Sequence, residues 1–216
     1  MSRPPVLSAC DALKRLREGN ERFTANVRSV ESLLSYTQRE DIGKSPQDPI
    51  AIILGCSDSR APAELVFDQG LGDLFVIRVA GNIVAPSQVG SVEFAADRFG
   101  TKLVVVLGHS NCGAITTTLD ELQRPTENQS PNLHSIVSRV SPALKNLLEV
   151  SPDLSREDLV DKAVRANVRA SCDHLRHGSA ILEELIANHG LVVVGAEYSL
   201  ETGKVDFFDG VPAECE

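Results

Sequence analysis

Four short runs of apolar, largely β-branched residues constrain this chain most. They lie at 49–56 (Pro-Ile-Ala-Ile-Ile-Leu-Gly-Cys), 74–79 (Leu-Phe-Val-Ile-Arg-Val), 103–107 (Leu-Val-Val-Val-Leu) and 191–194 (Leu-Val-Val-Val). Each is continuous rather than alternating, which is how a strand reads when both its faces are buried in a parallel sheet. Helical stretches separate them at 61–67, 86–99, 111–123, about 132–150 and about 155–188. Strands alternating with helices imply βαβ units, so the fold class is α/β, a mostly parallel central β-sheet flanked by helices. Tyr198 to Phe208, with Thr202-Gly203 at its turn, predicts a hairpin that adds an antiparallel C-terminal edge strand.

Residues 8–26 carry Leu13, Leu16 and Phe23 at helical spacing behind Ser8, a candidate N-cap with Asp11 three residues on. They predict an N-terminal helical arm whose apolar stripe has no obvious partner within the chain. The polar segment 27–49, with Gly43, Pro46 and Pro49, reads as partly helical and then a loop. Pro125 to Pro131 is a polar connection inside the strand pattern. With 216 residues and no repeat, the expectation is a single domain over 1–216: helical arm and loop at 1–48, α/β core at 49–216.

Charge and cysteine usage then exclude whole classes of partner. The formal charge is −9, with 21 basic against 30 acidic residues and no basic tract, so phosphate backbones would be repelled and nucleic acid is excluded as a partner. The apolar runs are far shorter than the ~20 residues that span a bilayer, so no membrane association is expected. The first residues, Met-Ser-Arg-Pro-Pro, lead into Asp11, Lys14, Arg15 and Arg17 without an apolar signal core, which predicts a cytoplasmic location. Five cysteines, an odd number, argue against a disulfide framework and for free or metal-bound thiolates. Cys10 and Cys215 are expected to be free thiols.

The chemistry gathers where two buried strands end. One runs into Cys56-Ser57-Asp58-Ser59-Arg60, the other into Gly108-His109-Ser110-Asn111-Cys112-Gly113. Ligands of open parallel sheets bind beyond the carboxyl ends of strands, so both clusters stand where a site belongs. If the two strands are neighbours, Cys56, His109 and Cys112 converge. Two thiolates and an imidazole suit a borderline-soft metal, zinc above all, and three protein ligands leave the fourth position of a catalytic site open. His109 and Cys112, three apart at a helix start, fit one side of a first turn, and the helix N-terminus favours the Cys112 thiolate. Zinc with two thiolates and a neutral His carries no net charge, so activating water there needs outside help. Asp58 is placed to accept a hydrogen bond from that water, or to bind the metal itself. Arg60 opposes the second outcome by holding the carboxylate in a two-pronged grip.

These paired motifs closely resemble the β-class carbonic anhydrases, and Ala12 to Phe23, Phe75 to Asn82, Gly90 to Ala95 and Val194 to Asp206 also look like that family. The resemblance implies zinc-dependent reversible hydration of carbon dioxide to bicarbonate and a proton by zinc-hydroxide attack, in a homo-oligomer, dimer or tetramer. Carried over by position, Cys56, His109 and Cys112 would bind one zinc ion per chain, with Asp58 and Arg60 as a catalytic dyad. Gln47 matches a position whose amide binds substrate oxygen and, in the family, completes a neighbour's site. Phe75 matches an apolar wall of the carbon dioxide pocket. Phe94 falls where plant members have tyrosine and Ile53 where the bicarbonate-inhibited subgroup has tryptophan, while Arg78 keeps the family's arginine.

Other readings stay open at this level. A related hydrolase acting on carbon disulfide or carbonyl sulfide would use the same motifs. A catalytically silent zinc-binding module would need neither Asp58 nor Arg60, and a thiol redox protein lacks a Cys-x-x-Cys motif. Cys172, His174 and His177 read as a helix face with a buried Cys rather than a second metal site, and His134 and His189 as surface or loop positions.

Overall fold

The computed structural model describes residues 6–35, 37, 39–125, 130–151 and 153–215. Of the polar connection at Pro125 to Pro131, residues 126–129 lie outside that set, as do the first five residues.

Helix α1 (Ala9–Thr24) is capped as its sequence suggests: the Ser8 hydroxyl accepts from the Asp11 N–H at 3.1 Å and donates to the Asp11 carboxylate at 2.6 Å. The chain continues through α2 (Val30–Ser35), α3 (Arg39–Lys44), β1 (Ala51–Gly55), α4 (Ala63–Val66), β2 (Leu74–Arg78) and a 3-10 turn at Ala80–Asn82. There follow α5 (Pro86–Phe99), β3 (Leu103–His109), α6 (Gly113–Gln123), α7 (Pro131–Val150), α8 (Arg156–His177) and α9 (Ala180–His189). Strands β4 (Val192–Tyr198) and β5 (Val205–Asp209) and a 3-10 turn at Ala213–Cys215 end the described chain.

The strands form one sheet in the order β2-β1-β3-β4-β5, with every pairing parallel except β4 with β5. Successive side chains of a strand point to opposite faces. Ile53, Val105 and Val194 therefore meet Leu13, Leu16 and Phe67 on one side of the sheet. Ile52, Leu54, Val104, Val106 and Val193 meet Val92, Val168, Leu175 and Leu182, from α5, α8 and α9, on the other. Both faces are covered, which is why the apolar runs are continuous. A third cluster joins α6, α7 and α8 through Ile115, Leu119, Val140, Leu144 and Val160 and reaches Cys56 and Cys112.

Three expectations are corrected. The helical stretch at 155–188 is two helices, because α8 stops at Gly178 and Ser179 starts α9 by accepting from the Leu182 N–H at 3.2 Å. Apolar periodicity runs through that break and hides it.

The arm's apolar stripe does have a partner in its own chain. Leu13 and Leu16 are buried in the core, and Asn20 donates to Val66 O at 3.1 Å and Gly203 O at 2.8 Å. A hydrophobic stripe announces a buried face without naming the surface that buries it.

Cys10 and Cys215 are not free thiols but a disulfide, their Cα atoms 4.9 Å apart across a sequence separation of 205. Docking of α1 beside the C-terminal turn brings them together. Cys56, Cys112 and Cys172 remain as thiols.

Candidate metal centre

The sheet order makes β1 and β3 neighbours, with Gly55 beside Leu107. The residues beyond their carboxyl ends consequently share one corner. His109 closes β3, Asn111 turns the chain in the left-handed region at φ 54°, and Cys112 is the N-cap of α6. The turn is tied to β4: the Ser110 N–H donates to Tyr198 O at 2.9 Å, and Ser110 Oγ accepts from the Leu200 N–H at 3.0 Å.

Cys56 Sγ, a ring nitrogen of His109 and Cys112 Sγ all lie within 4.8 Å of one another, and all three residues are buried. The two sulfurs are 3.9 Å apart. Tetrahedral zinc–sulfur bonds of about 2.3 Å would set them about 3.8 Å apart, so the donor set fits that ion. His109 Nδ1 lies 2.9 Å from Ser110 O. A carbonyl only accepts, so Nδ1 carries the proton and Nε2 presents a lone pair. That buried Nε2 has no hydrogen-bond partner, which is costly unless a ligand takes it.

The two neighbouring thiols shift one another in opposite directions. The hydrogen bond from Cys112 lowers Cys56 against burial, with further help from His109 and the Gly81 N–H. The same pairing, together with burial, pushes Cys112 up, although the N–H groups of Ala114 and Ile115 pull the other way. Those two N–H groups are the helix N-terminal influence that the sequence implies for Cys112. His109 is raised overall: burial lowers it, and its contacts with Cys56 and Ser110 O more than compensate.

Asp58 falls outside this group of three, with Oδ2 3.8 Å from His109 Nε2. Arg60 grips both its oxygens, Nε on Oδ1 at 2.9 Å and Nη2 on Oδ2 at 2.7 Å, and the Arg60 N–H adds a bond to Oδ1 at 2.9 Å. That grip holds the Asp58 carboxyl well below the usual range, so it stays ionised. Arg78 braces the same loop by donating to Cys56 O at 3.0 Å and Asp58 O at 2.6 Å.

Gln47 and Phe75 are not brought to this corner. Gln47 is exposed ahead of β1, at the opposite end of that strand from Cys56. Phe75 pairs with Ile52, about 13 Å of strand away from Cys56, and packs on Phe94 and Phe99 with ring centroids 6.3 and 6.0 Å apart. Cys172 behaves as structural: burial pushes its thiol up to about 12. Among the described residues no second group of potential ligands assembles around His174 or His177. Sequence reading missed the part played by Gly81. Its one outward signal was the Gly81-Asn82 pair of turn formers straight after a strand.

Two buried thiols and a buried imidazole, gathered at the carboxyl ends of parallel strands, define the class: an α/β protein with a candidate metal centre of the Cys-His-Cys type. A family model described as carbonic anhydrase matches residues 51–205. Carbonic anhydrase 2 of Mycobacterium tuberculosis is 38% identical over 207 residues, 96% of each chain. The carbonic anhydrase of Mycolicibacterium smegmatis is 37% identical over 202 residues, 90% of this chain and 91% of its own. Among solved structures, the β-carbonic anhydrase CafA of Aspergillus fumigatus matches with a TM-score of 0.72 at 25% identity, covering 95% of this chain and 93% of that one. The chain belongs to the β-carbonic anhydrase family.

Proposed function

We propose that the protein catalyses the reversible hydration of carbon dioxide to bicarbonate and a proton, with one zinc ion held by Cys56, His109 and Cys112. The observation that carries this is the unpartnered His109 Nε2 facing two buried sulfurs beside a carboxylate that an arginine holds apart. When bound, zinc supplies the Lewis acidity that makes water a nucleophile toward carbon dioxide near neutral pH.

The chain's own residues do the rest. Asp58, ionised and adjacent to the donor set, accepts a hydrogen bond from the attacking water and fixes its direction. Arg60 holds that carboxylate by both oxygens, so that it would not itself become a metal ligand. Ser110 O fixes the imidazole tautomer. Gln47 and Phe75 act on a neighbour's site within a homo-oligomer, dimer or tetramer, Gln47 donating to the substrate oxygen that becomes negative and Phe75 lining the carbon dioxide pocket. Their distance from the Cys56 corner of their own chain supports this, as does Phe94 of the same aromatic cluster, which is 54% exposed. No described helix is long and apolar enough to cross a membrane. A single domain over 1–216 completes the reading.

The test is stopped-flow carbon dioxide hydration on protein of known zinc content, scanned from about pH 6.5 to 9. Turnover that tracks zinc content is expected. One zinc per chain with no turnover at any pH would overturn the reading and favour a carbon disulfide or carbonyl sulfide hydrolase, or a silent zinc module.

A further inference from the structure

The turn at Ala80–Asn82 links β2 to α5 and passes beside Cys56. Gly81 and Asn82 both stand in the left-handed region, at φ 71° and 41°. Consecutive residues in that region persist only when their surroundings hold them. The turn delivers a peptide N–H to a sulfur: the Gly81 N–H donates to Cys56 Sγ at 3.4 Å.

The other side of the same residue is held from a distant element. Asn167 on α8, only 2% exposed, donates Nδ2 to Gly81 O at 2.8 Å. One helical turn on, Ser171 Oγ donates to Asn82 O at 3.1 Å. Asn167 interrupts an apolar face of α8 formed by Ala163, Val164 and Val168. An aliphatic residue there would bury more apolar surface but leave the Gly81 carbonyl without this donor. Gly81 itself has no freedom to change, since a Cβ would meet the Ala114 Cβ at 3.1 Å as well as a positive φ.

We propose that Asn167 is a positioning residue of the metal centre: by holding the Gly81 carbonyl it locks that residue's left-handed conformation, and so aims the Gly81 N–H at the Cys56 sulfur. The inference rests on the reading of Cys56 as a metal ligand. A hydrogen bond to a ligating thiolate withdraws charge from it and fixes its direction, and such outer partners are commonly worth 10- to 100-fold in metal affinity.

Cadmium-113 bound in place of zinc tests the geometry without mutation. A scalar coupling between cadmium and the Gly81 amide proton, carried through the sulfur, is expected; cadmium bound with no such coupling overturns the proposal. Failure of the protein to bind cadmium or zinc at all would overturn the metal-centre reading, and the positioning role with it. Asn167→Asp, similar in size but presenting a carboxylate to the carbonyl, tests the role of α8. It should move the sulfur-to-cobalt charge-transfer band of cobalt-loaded protein to longer wavelength and weaken zinc binding about tenfold in chelator competition. Ser171→Ala removes the neighbouring bond, to Asn82 O, and should leave the band where it is. An unmoved band in the Asn167 variant, or equal shifts in both variants, would reduce Asn167 to ordinary packing.

Discussion

Asp58 is committed in two directions, by its nearness to His109 Nε2 and by both oxygens on Arg60. The balance between them sets what each substitution should do. Asp58→Ala should keep zinc, measured by metal analysis, and lose activity by about 10²- to 10⁴-fold in stopped-flow assay, the usual worth of a group that manages a proton. Cys112→Ala should lose the metal itself. Stripping zinc from the intact protein with a chelator should lower the melting temperature, and restoring zinc should return it, because an ion bound only by the folded state stabilises that state. At this scale the sequence was most readable where chemistry is compressed into a few adjacent residues. Cys56 to Arg60 and His109 to Cys112 each sit at a strand end, and neighbouring strands bring the two together. Asn167 could not be read in the same way, because nothing near it in sequence reveals the carbonyl it serves.

Helix α1 shows how an element's docking can reverse an ordinary substitution rule. Ala for Gly inside a helix normally helps by about 0.5–1 kcal/mol. Position 19 lies on the backbone beyond α4, where a Cβ would stand 1.8 Å from Phe67 O. Gly19→Ala should therefore lower the melting temperature, and an unchanged or higher value would show that α1 does not dock there. The same contact carries a pH signature. Asp68 is buried with Arg22 Nε at 2.6 Å, the Ser29 N–H at 2.9 Å and Arg28 at 3.6 Å. Burial pushes its carboxyl up, but those donors more than offset that and leave it below the ordinary range. A depressed folded value contributes stability above the unfolded value of about 3.9, and that contribution is lost as pH falls through the folded value. Asp68→Asn, which tolerates the φ of 45° at this position, should cost about 1–3 kcal/mol at neutral pH. The gap between the two melting curves should close below about pH 4. Element boundaries were legible where end signals are local: α5 runs over 86–99 as its sequence indicates, opened by Pro86 and closed by Gly100 at φ 71°. The break at Gly178 and the seat of α1 depend on packing that periodicity does not encode.

Across the whole molecule, the Cys10–Cys215 bond joins the first described helix to the last described turn, and Arg17 reinforces the join by donating to Cys215 O at 2.9 Å. Cysteine counting could not find this pair, because spacing along the chain says nothing about thiols 205 residues apart. Reduction, or Cys10→Ser, should lower unfolding stability by about 2–4 kcal/mol, followed by denaturant titration. Alkylation of unfolded protein should find three thiols before reduction and five after it. The bond also makes residues 10 to 215 a closed covalent ring. One cut in the exposed stretch after Gly43 would linearise that ring rather than divide the molecule, and the two pieces would part on a gel only after reduction. New chain ends could be opened there in a circular permutant while α1 and the terminal turn stay joined, so sequence order and mechanical integrity are separable in this protein.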